Sequence, residues 1–124
     1  MDEDRLYTVD EANEMLLELR ERLPRVRSAR QVMLRGAELV KERIATDGGG
    51  ASGGREYWEA QATLRAEIER LAEENIVLRD PETGLVDFPG EREGRRVWLC
   101  WRLGEERVAH WHELDTGFTG RRPL

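Results

Sequence analysis

The chain has 124 residues, 37% of them charged, and a formal charge of −6 at neutral pH, with a mean hydropathy of −0.71. That length builds one compact core rather than two, and no apolar run approaches the length that crosses a bilayer. The acidic balance argues against a protein that coats nucleic acid by neutralising phosphates.

The opening Met1-Asp-Glu-Asp lacks the basic start of a signal peptide, and the single cysteine, Cys100, has no intrachain partner. Both features predict a reducing, cytoplasmic setting. Thr8 followed by Glu11 reads as a capping box, so a helix is expected from about Val9. The apolar positions Val9, Ala12, Leu16, Leu19, Leu23, Val26, Met33, Ala37, Val40 and Ile44 keep a spacing of three and four, interrupted only by Arg30. This is a coiled-coil-like stripe.

Pro24 lies within the stripe, where its ring removes a helical hydrogen bond, which predicts a kink or a break there. Arg20, Arg22, Arg25, Arg27, Arg30 and Arg35 crowd the same stretch and read as a solvated helix face. Residues 47–54 carry five glycines and predict a flexible turn rather than a phosphate loop, since no strand precedes them and no Gly-Lys-Ser/Thr follows.

A second helix is expected from about Arg55 to Asn75, with Tyr57, Leu64, Ile68 and Leu71 along one stripe. At ~1.5 Å per residue the first helix would span roughly 55 Å and the second about 32 Å, so the hairpin would end near Pro24 and Arg25. Residues Val9 to Leu23 must then bury their stripe elsewhere. The C-terminal third supplies the surface: Ile76 to Leu78, Leu85 to Phe88, Arg96 to Leu103 and Glu106 to His112 read as strands, separated by Asp80-Pro-Glu-Thr-Gly84, Pro89-Gly90 with Gly94, and Gly104-Glu105. The expected architecture is a single α+β domain. A long antiparallel helical hairpin over about 9–75 packs on a small antiparallel β-meander over about 76–112 with a C-terminal hairpin, followed by a tail at 113–124.

The block from Trp98 to Asp115 holds three of the four tryptophans, both histidines and the cysteine. A two-residue turn at Gly104-Glu105 would pair Leu99 with His110, Val97 with His112 and Trp98 with Trp111. A three-residue loop would instead place Cys100 opposite His110 and Trp98 opposite His112. The first register is favoured, because a pair of tryptophans contributes up to about 1 kcal/mol. It separates Cys100 from the histidines and leaves the cysteine as a small buried apolar residue rather than a nucleophile.

His110 and His112 point to the same side of their strand. They are candidate ligands of a divalent metal, with Asp87, Glu113 or Asp115 completing the shell. The competing reading is structural, with half-buried imidazoles bonded to carboxylates. Asp87, between Val86 and Phe88, is expected to be solvated or paired with an arginine such as Arg121. Both faces of the hairpin carry large apolar groups, so either the tail from Gly117 to Leu124 folds over one of them or an interface built on Trp98, Trp101 and Trp111 covers it. With the heptad-like stripe, this predicts a homodimer.

The segments Tyr7-Thr-Val-Asp-Glu-Ala-Asn13, Gly84-Leu-Val-Asp-Phe-Pro89, Leu99-Cys-Trp101, Gly104-Glu105, Trp111-His112 and Gly117-Phe-x-Gly-Arg121 together resemble a prokaryotic family known as domain of unknown function 2203. The resemblance implies no catalytic residue and no defined activity. The leading expectation is a non-enzymatic interaction or scaffold protein acting as a homodimer, with room for a protein partner. The rival is a metal- or small-ligand-binding protein, with hydrolysis as its enzymatic form, built on His110, His112 and nearby carboxylates. Nucleic-acid binding through the arginine run ranks last, since no aromatics interleave with it as stacking platforms would.

Overall fold

A computed structural model describes residues 5–47 and 54–124, the side chains of 40 and 42–47 excepted. The central part of the expected glycine turn, and the side chains of the stripe positions Val40 and Ile44, lie outside what is described. Helix α1 covers Val9–Glu14, α2 Leu16–Asp47 and α3 Gly54–Glu73. Five strands follow: β1 Val77–Asp80, β2 Leu85–Arg92, β3 Arg95–Arg102, β4 His110–His112 and β5 Arg122–Pro123. They form one antiparallel sheet in the order β1-β2-β3-β4-β5. The fold is α+β. Among the described residues no helix is long and apolar enough to cross a membrane.

The capping box opens α1 as its residues dictate. Thr8 Oγ1 accepts from Glu11 N at 3.0 Å, and Glu11 Oε1 accepts from Thr8 N at 2.8 Å. The helical interruption falls at Met15, not at Pro24. Met15 keeps right-handed helical angles, and its N–H turns to Ala12 O at 3.1 Å in a locally tightened turn. Helix α2 then runs through Pro24 uninterrupted. Buried Leu23 and Val26 anchor the chain on either side of the proline, so packing offsets the missing hydrogen bond.

The helical hairpin also reaches further than the length argument predicts. Arg22 on α2 donates to Glu67 and Glu74, and Arg70 on α3 pairs with Glu18 at 3.1 Å. At the lower end, Tyr7 Oη donates to the Glu74 carbonyl at 2.6 Å. Arg22 is therefore buried and belongs to no solvated face. Of its neighbours, Arg20 reaches the Glu106 carbonyl, while Arg27 and Arg30 both reach Glu82.

The core lies between the N-terminal arm and one face of the sheet. Tyr7, Ala12, Leu16, Leu19 and Leu23 pack with Leu71 and Ile76 onto Val86, Phe88, Val97, Leu99, Trp101, Val108 and Trp111. Alternation along β2 and β3 sends these residues to the helices and their sequence neighbours to the opposite face. The tail contributes the edge strand β5, with Trp111 opposite Arg122 and His110 opposite Pro123.

Candidate functional site

The register of the C-terminal hairpin decides which reactive groups meet. Cys100 stands opposite His110, Leu99 opposite Trp111 and Trp98 opposite His112. This is the pairing that the favoured two-residue turn excluded. The turn runs from Arg102 to Glu105, closed by Glu105 N to Arg102 O at 2.9 Å, and Gly104 takes φ 105° as its third residue rather than its second.

Residues Glu106 to Ala109 then form an irregular loop, because buried Val108 is drawn to α1, where its N–H donates to Asn13 Oδ1 at 2.8 Å. A shift of one residue exchanges the faces of a strand. The shift puts Trp111 into the core and both histidines on the far side. Burying an indole there gains more than burying two imidazoles would.

Asp87, Cys100, His110 and His112 thus share the face of the sheet opposite the one that carries the core. Asp87 and Cys100 are direct cross-strand partners. Asp87, Cys100 and His112 are buried, at 1%, 0% and 2% exposure. Asp87 is accordingly not solvated, and its arginine is Arg79 of β1, whose Nε donates to Oδ2 at 2.8 Å. The Arg79 guanidinium also lies over the Trp98 ring, 5.0 Å from its centroid. Arg121 of the tail instead donates to both Glu105 carboxylate oxygens, at 2.8 and 2.9 Å, and meets His110 Nδ1 at 3.0 Å.

His112 is held from both sides. Its Nδ1 lies 2.7 Å from the Glu113 carbonyl and its Nε2 lies 3.0 Å from Asp87 Oδ2. A carbonyl can only accept, so Nδ1 carries a hydrogen and donates it to Glu113. The other carboxylate oxygen, Asp87 Oδ1, is buried with no nitrogen or oxygen donor, and the Cys100 thiol is the group that faces the carboxylate there. Burial, together with the Asp87 carboxylate beside it, pushes the Cys100 thiol up to about 12. A thiol so far from ionising does not serve as a nucleophile at neutral pH.

Of the five metal-ligand candidates, only Asp87 and His112 come together, and their companion is Cys100. These three offer ligand atoms that all lie within 4.8 Å of one another. His110 is engaged by Arg121, the Glu113 carboxylate pairs with Arg95 at 2.8 Å, and Asp115 is exposed. The pairing of Cys100 with His110 in the three-residue loop was the sequence signal for the cysteine. Arg79 carried none.

The tryptophans divide in the same way. Trp101 and Trp111 are core residues, at 0% and 6% exposure, and present no surface to a partner. Trp98 remains at the surface of a groove of about 780 Å³ between α3 and β1, lined also by Leu64, Ile68, Ala72, Val77 and Leu78.

The segments that carry the family resemblance lie far apart in the chain, yet Asp87, Cys100 and His112 share this one face, and Arg121 joins His110 on it to Glu105. No curated protein and no solved structure matches the chain. Residues 5–124 match the family described as "Uncharacterized conserved protein (DUF2203)", and the chain belongs to that family.

Proposed function

We propose that this chain is a cytoplasmic, non-enzymatic interaction protein that acts as a homodimer, each copy seating on the apolar groove of the other. The groove between α3 and β1 carries the reading. Its walls are Leu64, Ile68, Ala72, Val77, Leu78 and Trp98, and Ile68 is half exposed in the single copy. Apolar patches rimmed by polar groups are typical of interaction sites.

The second copy is favoured as occupant because β1 is an outer strand of the sheet and forms one wall of the groove. A twofold axis beside it would set β1 against its own counterpart, continuing the sheet through main-chain hydrogen bonds and covering Ile68. Exposed Leu34, Leu39 and Trp58 on the helical hairpin offer a further apolar surface to a protein partner.

Sedimentation velocity over a wide concentration range tests the proposal. Wild-type protein is expected to sediment as a dimer and Ile68→Glu as a folded monomer. A wild type that stays monomeric at the highest concentration removes the reading.

A further inference from the structure

Three adjacent strands each bring one donor to the buried far face of the sheet: Asp87 from β2, Cys100 from β3 and His112 from β4. Asp87 and Cys100 pair directly, and His112 is diagonal to Cys100, opposite Trp98. We propose that Asp87, Cys100 and His112 bind a zinc ion that cross-links these three strands. The site lies within one copy and does not depend on self-association.

The donor set is the first argument. A thiolate, an imidazole and a carboxylate suit a borderline-soft, four-coordinate cation, whereas magnesium and calcium prefer oxygen alone. The outer contacts supply the second. The Glu113 carbonyl holds His112 Nδ1, which leaves Nε2 as the coordinating nitrogen. Arg79 holds Asp87 Oδ2, while Oδ1 is buried without a nitrogen or oxygen donor. Metal-bound histidines and carboxylates are usually steadied by partners of this kind. A buried carboxylate oxygen without such a donor is costly, and a cation satisfies it.

Spacing agrees. At metal–ligand distances of about 2.0–2.3 Å, a tetrahedral site sets its ligand atoms roughly 3.3–3.8 Å apart. Donors within 4.8 Å need therefore close by no more than about 1.5 Å, within reach of side-chain rotation. As Zn²⁺ binds, the Zn–S bond forms while the thiol proton of Cys100 leaves to solvent. Three protein ligands leave the fourth position to water.

Untagged full-length protein, stripped of metal by chelation, is titrated with Co²⁺ and then Zn²⁺. One equivalent of Co²⁺ is expected to bind with a thiolate-to-cobalt charge-transfer band and intense four-coordinate visible bands, both bleached by Zn²⁺, and Zn²⁺ is expected to raise the Tm. Cys100→Ser should abolish the charge-transfer band, and it and His112→Asn should each weaken Zn²⁺ binding by about a hundredfold or more, beyond the usual effect of losing an outer partner. The monomeric Ile68→Glu variant should titrate as wild type does, separating this site from the groove. Folded wild-type protein that gives no charge-transfer band, or a Cys100→Ser variant that binds as wild type does, overturns the assignment.

Discussion

Arg22 Nε donates to Glu67 Oε2 at 2.8 Å, joining α2 to α3 through a guanidinium that is 2% exposed. Glu18 and Glu74 take its remaining nitrogens at 2.7 and 3.1 Å. Burial on its own would lower the basicity of Arg22, but the hydrogen bonds it donates to Glu67 and Glu74 outweigh it and raise the group above its ordinary value. Removing the cation leaves poorly solvated carboxylates unpaired, so Arg22→Met is expected to cost about 3–5 kcal/mol in urea unfolding. Adding Glu67→Gln and Glu74→Gln to that variant should recover part of the loss. If the triple variant is less stable than Arg22→Met, the unpaired charge is not the cause.

Thr8→Ala removes the acceptor for Glu11 N. Loss of an N-cap hydroxyl is expected to lower stability by about 1 kcal/mol. The effect should reach the sheet, because α1 carries the Asn13 oxygen that holds Val108 N. Amide exchange at Val108 should accelerate in Thr8→Ala along with the amides of α1, and an unchanged Val108 would show that the loop does not depend on the cap.

Gly84 and Gly94 separate two effects of a missing side chain. Both take positive φ, 73° and 78°, which costs other residues about 1–2 kcal/mol. At Gly84 an added Cβ would also stand 2.7 Å from Leu103 Cβ, whereas nothing lies within 4 Å of one at Gly94. Gly84→Ala should therefore destabilise more than Gly94→Ala by about 1 kcal/mol or more. Equal losses would mean that only the backbone angle matters.

What the sequence made legible was local. The Thr8–Glu11 cap, the stripe of Leu16, Leu19 and Leu23, and the alternation of Val86, Asp87 and Phe88 each follow from neighbours a few residues apart. The misread features depend on distant partners. Arg22 looks like its solvated neighbours because, apart from Glu18 one turn away, its carboxylates lie 45 and 52 residues distant. The hairpin register follows from the burial of Val108 against α1, 95 residues distant at Asn13, which a turn-based argument does not see. The turn-based register separates Cys100 from the histidines, and Asp87 meets Arg79 because β1 lies beside β2.

Cys100 also makes a pH-dependent contribution that can be isolated. Burial raises its thiol from 9.0 to about 12 in the folded chain, so between these values the folded state holds a proton that the unfolded state has released. The unfolded state then binds fewer protons, and stability falls as pH rises. The contribution is fully present below the unfolded value and is lost as pH climbs towards the folded one, at up to about 1.4 kcal/mol per pH unit. Tyr7, raised above 10.0 chiefly by burial, adds a slope of the same sign, so the comparison must be between wild type and Cys100→Ala. In metal-free protein the stability difference between the two is expected to be flat below about pH 8.5 and to shift in favour of the alanine variant above it, by a slope of up to one proton. Urea unfolding from pH 7 to 11 measures it, and parallel curves for the two proteins would show that the folded thiol ionises as readily as the unfolded one.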